Sequence, residues 1–127
     1  MENEIKKKRI LHVDDEHDIL EVVKTILESE GYDVVSEMRG EYALTQIEKD
    51  GFDLLILDIM MPDMSGWELF NRIGTIKPDY KVIFLTILDL PENKIKELLD
   101  AGIKDYIKKP FDREDFIARV KKAMENK

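Results

Sequence analysis

The 127 residues contain no cysteine. That excludes disulfides, thiolate nucleophiles and cysteine-based zinc sites together. Histidine is nearly as scarce, with only His12 and His17, which leaves little for a histidine-rich metal centre. No apolar run approaches the roughly 20 residues needed to span a bilayer. The stretch Met1 to Arg9 is mostly charged with no apolar segment behind it, so no secretory signal is expected. These absences point to a soluble, cytoplasmic protein without membrane contact. A positive balance is also lacking: the net charge is −8, which argues against direct nucleic-acid binding, where phosphates must be neutralised by Lys and Arg. The run Lys6-Lys7-Lys8-Arg9 is the local exception and reads as a solvated lead into the first strand.

What is present suits one ordinary domain. Apolar residues make up 43% and charged residues 38%, enough for a core and a solvated surface. No linker, repeat or low-complexity segment interrupts the chain. Short apolar runs alternate with helical periodicity. Ile10 to Val13, Val34-Val35, Leu54 to Leu57, Val82 to Leu85 and Tyr106-Ile107 read as strands. Helices follow each: Ile19, Leu20, Val23, Ile26 and Leu27; Ala43, Leu44 and Ile47; Leu69, Phe70 and Ile73; Ile95, Leu98 and Leu99; and Phe116, Ile117, Val120, Ala123 and Met124. Gly31, Asp50-Gly51 and Ala101-Gly102 close helices. The continuous apolar runs of the third and fourth strands suit strands buried on both faces. The pattern predicts an α/β, doubly wound (βα)5 domain with a parallel sheet, and five strands favour the order 2-1-3-4-5.

In that order, ligands bind beyond the carboxyl ends of strands 1 and 3. The residues there are Asp14-Asp15-Glu16 and Asp58, with Thr86 ending strand 4 and Lys108-Lys109-Pro110 ending strand 5. Neighbouring strands lie about 4.8 Å apart, so Asp14, Asp15 and Asp58 are expected to share one pocket. Crowded carboxylates call for a compensating hard cation, and an all-oxygen donor set favours Mg²⁺ over zinc. Asp58 is open to three roles: metal ligand, general base, or nucleophile forming an aspartyl phosphate. Thr86 and Lys109 would supply donors for the last of these. Strand alternation sends Lys108 and Lys109 to opposite sides.

Asp58-Ile59-Met60-Met61-Pro62-Asp63-Met64-Ser65-Gly66 fits D-x-x-M-P-x-M-x-G, and Lys109-Pro110-Phe111 fits K-P-F. With the acidic pair and the strand-4 Thr86, the chain resembles the CheY-like, flavodoxin-like receiver domains of two-component response regulators over about residues 8 to 125. The resemblance implies a lead at 1–7 and a receiver domain at 8–127. It implies that Asp58 accepts phosphate from a sensor histidine kinase, and that Asp15, Asp58 and the Met60 backbone carbonyl bind Mg²⁺, with Asp14 acting mainly through water. It gives Thr86 a bond to a phosphoryl oxygen and a switch role, and makes Lys109, ahead of a cis proline bond, the partner of the phosphate. Tyr106 matches the aromatic that turns inward with Thr86. Lys108 is then a solvated neighbour. Output would run through the surface of helix 4, strand 5 and helix 5, including Lys104, Tyr106, Asp115, Arg119 and Lys121, to a downstream partner or output domain, or through a homodimer. Such a protein is a signalling phosphoacceptor rather than an enzyme.

Ile87 stands where the family usually has a small residue, and Met60 and Leu88 cannot orient a hydrolytic water; restricted access and a long-lived phosphoryl group are expected. Trp67 is expected either to pack on the third helix or to report on the site. His12 reads as a packed or edge histidine and His17 as exposed, neither with the partners of a metal site. Three other readings compete. A flavodoxin-like cofactor binder would need a Ser/Thr/Gly-rich phosphate loop after strand 1. A Mg²⁺-dependent phosphatase would carry a second acid where Met60 stands. The third is a receiver-like interaction module that is never phosphorylated.

Overall fold

The computed structural model describes residues 6–125, so the first five residues of the expected lead lie outside it. Five strands, β1 (Arg9–Val13), β2 (Asp33–Glu37), β3 (Leu54–Leu57), β4 (Val82–Thr86) and β5 (Asp105–Lys108), alternate with five helices, α1 (His17–Ser29), α2 (Gly40–Lys49), α3 (Gly66–Ile76), α4 (Glu92–Asp100) and α5 (Arg113–Met124). The sheet is parallel, in the order β2-β1-β3-β4-β5, as expected. The elements run one to three residues longer than the apolar runs at β1, β2 and β5, because pairing continues beyond the apolar centre to polar residues such as Asp33 and Glu37.

Alternation along the strands splits the core into two layers. Leu11, Val13, Leu55, Leu57 and Phe84 pack with Ala43, Ile47, Leu69 and Ile73 from α2 and α3. Ile10, Leu54, Ile56, Ile83 and Leu85 pack with Val23, Leu27, Phe116 and Val120 from α1 and α5. Each such side chain, once buried, stabilises the fold by about 1.5–3 kcal/mol before chain entropy is counted. α1 closes at Gly31, whose φ of +94° suits a residue without a Cβ. α4 differs from the other helices in having no fully buried residue; Ile95 and Leu98 pack only partly against the core.

Register aligns the site. Val13 pairs with Leu57, so Asp14 and Asp58 leave neighbouring strands at the same height. Thr86 pairs with Lys108, which brings Lys109 to the same end of the sheet.

Candidate functional site

Local bonds explain the loop from Asp58 to Gly66. The Asp58 N–H donates to the Val13 carbonyl at 2.9 Å, and the Met60 N–H donates to the Asp58 carboxylate at 3.3 Å. Asp63 accepts from the Gly40 and Glu41 N–H groups and so caps α2. Burial pushes the Asp63 carboxyl up, but those backbone donors outweigh it and hold the group below the usual range. Ser65 caps α3 by accepting from the Glu68 N–H at 3.1 Å. Gly66 sits against the Asp58 backbone so closely that an added Cβ would lie 2.3 Å from the Asp58 carbonyl oxygen. Met64 fills the core beneath. The loop motif is thus largely a device that seats Asp58 between two capped helices.

Asp14, Asp15 and Asp58 each offer a carboxylate oxygen within 4.8 Å of the others. Asp14 and Asp58 are buried and Asp15 is partly exposed. Lys109 Nζ reaches this group, 2.8 Å from Asp14, 3.0 Å from Glu16 and 3.5 Å from Asp58. Lys108 faces away and pairs with Asp89 at 3.4 Å, as alternation requires. The Lys109-Pro110 bond is cis. The buried Thr86 hydroxyl accepts from the Leu88 N–H at 3.2 Å, and the Leu88 carbonyl accepts from the Tyr106 hydroxyl. Thr86 and Tyr106 are therefore linked through one residue. Glu16, placed at this end of the sheet by the sequence, had no role assigned there; its pairing with Lys109 left no local signal. Beside the site, next to Glu16 and Lys109, lies a cavity of about 550 Å³ lined also by His17, Asp18, Ile19, Ile87 and Pro110. Ile87 is 61% exposed on its wall. The Met60 side chain is also exposed.

Three expectations need correction. Tyr106 is buried rather than part of an outer surface, because its ring joins the core beside Phe84. Lys121 pairs with Glu30 at 3.0 Å and so faces the end of α1, whereas Arg119 pairs with Asp105 and Asp115 beside β5; the two lie on different sides of α5. His17 does have carboxylate neighbours, Asp18 and Glu21, with ligand atoms within 4.8 Å, though all three are exposed. Trp67 packs edge-on to Phe84 at 5.0 Å.

Burial, reinforced by the Asp58 charge, raises the Asp14 pKa to about 6, although Lys109 and the Glu16 N–H pull the other way. Burial pushes the Lys109 pKa down, but its bonds to Asp14 and Glu16 and the Asp58 charge carry it above its usual value. Because Asp14 binds its proton more tightly in the fold, its own contribution to stability is fully present below about pH 4 and is lost as pH rises through about 6. Asp14→Asn removes that loss. In urea unfolding without divalent cations, the variant is expected to match wild type near pH 4 and to exceed it by about 1–3 kcal/mol above pH 6. A difference that does not change with pH would contradict this origin.

The donor set is three carboxylates with no thiolate or imidazole among them, which suits a hard divalent cation. The response regulator receiver domain model matches residues 10–121. The chain belongs to the response regulator receiver family. It is 37% identical over 120 residues to the uncharacterized transcriptional regulatory protein YkoG of Bacillus subtilis, covering 94% of this chain and 52% of that one. The chain spans about half the length of the curated relatives it matches. Among solved structures, it is similar to a CheY-like receiver domain protein of Methanospirillum hungatei, with 38% identity, a TM-score of 0.84 and 94% of each chain covered. It is also similar to the response regulator TrrA of Thermotoga maritima in complex with Mg²⁺ and beryllofluoride, with 38% identity, a TM-score of 0.79, and 91% of this chain and 98% of that one covered. Among the described residues, no helix is long and apolar enough to cross a membrane.

Proposed function

We propose that this receiver domain is a Mg²⁺-dependent phosphoacceptor in which Asp58 takes a phosphoryl group from the phosphohistidine of a sensor histidine kinase. The observation that carries the reading is the juxtaposition of Asp14, Asp15 and Asp58 with the Lys109 ammonium. The Asp58 oxygen forms the new O–P bond while the donor's P–N bond breaks, its electron pair returning to the imidazole. Asp15, Asp58 and the Met60 carbonyl would hold Mg²⁺, with Asp14 acting through water, and the ion would neutralise charge on the transferring oxygens. Lys109 pairs with the phosphoryl oxygens and Thr86 donates its hydroxyl to one of them.

The signal leaves through Thr86. Turning the side chain to donate to the phosphate carries its oxygen away from the Leu88 N–H, so the Leu88 and Tyr106 contacts repack with it. α4, the helix without a fully buried residue, is the element with least to lose in such a shift. The surface of α4, β5 and α5, with Lys104, Asp115 and Arg119, then meets an output domain or a second copy in the cytoplasm. The protein turns over no substrate of its own beyond slow loss of its phosphoryl group.

The test is intact mass after incubation with acetyl phosphate and Mg²⁺, with Trp67 fluorescence following beryllofluoride. A Mg²⁺-dependent gain of one phosphoryl group supports the reading; no gain and no beryllofluoride response would leave only an interaction module. Ile87, just past Thr86 and exposed on the cavity that Lys109 also lines, would shield the phosphoryl group from water. Ile87→Ala is expected to speed its decay about 3- to 10-fold, the effect of roughly 1 kcal/mol on the barrier. Unchanged decay would show that the Ile87 side chain shields nothing.

A further inference from the structure

His12 is the one fully buried histidine among the described residues, and neither of its ring nitrogens has a hydrogen-bond partner. Leaving both unpaired is unfavourable, and an aliphatic side chain would fill this central-strand position without that cost. Its Nε2 lies 3.9 Å from Asp14 Oδ2, too far for a bond but with nothing else to bond. Oδ2 forms an ion pair with Lys109 at 2.8 Å but is itself without a hydrogen bond, while Oδ1 accepts from the Glu16 N–H.

The Lys109 ammonium has three N–H groups and three carboxylates around it. Phosphorylation adds nearly two negative charges beside Asp58. That draws the ammonium away from Asp14 and leaves the buried Oδ2 without its ion-pair partner. We propose that His12 is a positioning residue, a reserve donor whose Nε2–H takes over Asp14 Oδ2 when Lys109 moves to the phosphoryl group. The gap to close is about 1 Å, from the present separation to an ordinary N–H···O distance. Completely buried, the ring favours its neutral form, which offers one N–H and one acceptor. The inference rests on the phosphoacceptor reading.

The experiment is a beryllofluoride titration at saturating Mg²⁺, read by Trp67 fluorescence, on wild type, His12→Leu and His12→Gln. Loss of a charge-assisted hydrogen bond predicts about 10-fold weaker beryllofluoride binding for His12→Leu. Gln, whose amide nitrogen reaches the place of Nε2, restores most of it. The urea midpoint of His12→Leu is expected to stay level or rise, since two unpaired nitrogens are gone. A merely structural histidine would lower stability and binding together. In ¹⁵N-histidine spectra, a protected His12 Nε2–H should emerge only in the beryllofluoride complex. Wild-type binding in His12→Leu, or a His12 Nε2 without a proton in the complex, overturns the inference while leaving Asp58 as the acceptor. A wild-type protein that ignores beryllofluoride removes the phosphoacceptor reading and this inference with it.

Discussion

Asp58→Asn protein, given acetyl phosphate and Mg²⁺, is expected to gain no phosphoryl mass over the period in which wild type is fully modified. The amide keeps the shape and the Val13 backbone bond, because that bond uses the Asp58 N–H and not its side chain. What is lost is the nucleophilic carboxylate. Losing it should slow modification by at least about 100-fold, since every 1.36 kcal/mol on the barrier is a factor of ten. Asp14 and Asp15 stand nearby but are not seated by the 58–66 loop, so neither should substitute. The variant should remain folded, with a urea midpoint at or above that of wild type, because one charge leaves a crowded acidic group. Phosphoryl gain at the wild-type rate would place the acceptor elsewhere.

Gly66→Ala should do the converse, leaving the carboxylates intact and disturbing where they sit. The new methyl would fall 2.3 Å from the Asp58 carbonyl oxygen and 2.8 Å from Ile59 Cα. Both are backbone atoms, so relief must move Asp58 itself or the start of α3. Overpacking of this kind costs about 1–3 kcal/mol, sometimes more. Phosphorylation should fall by more than the unfolded fraction explains. Gly74, in the same helix, is the control. A Cβ there meets nothing within 4 Å, so Gly74→Ala should stabilise by about 0.5–1 kcal/mol through helix propensity. If both substitutions behave alike, close approach at Gly66 is not what positions Asp58.

Much of the site was legible because the strands announce themselves and their ends follow. Leu54 to Leu57 is an unbroken apolar run, so the residue after it, Asp58, is placed at the carboxyl edge of the sheet by the sequence alone. Alternation put Lys108 and Lys109 on opposite sides, and the resemblance, which sets the lysine directly before the proline, chose Lys109. Other features left no such mark. Lys121 and Arg119 are two residues apart on α5, and pairing with Glu30 or with Asp105 depends on which neighbour each face meets. Tyr106 could have pointed outward; its bond to Leu88 and its place beside Phe84 follow from strand pairing. The role of Asp63 as a cap for α2 depends on a contact between residues more than 20 apart in sequence.

The sequence by itself determined the (βα)5 order and which residues stand at the site ends of strands 1, 3, 4 and 5, because hydrophobic periodicity and turn chemistry act over a few neighbouring residues. Only the tertiary structure decided that Lys109 is shared among Asp14, Glu16 and Asp58, and that His12 waits unpaired beneath Asp14. Those are distances of a few ångströms between residues from separate strands and loops. They are set by strand register and by how side chains pack across the sheet, not by any local pattern in the chain.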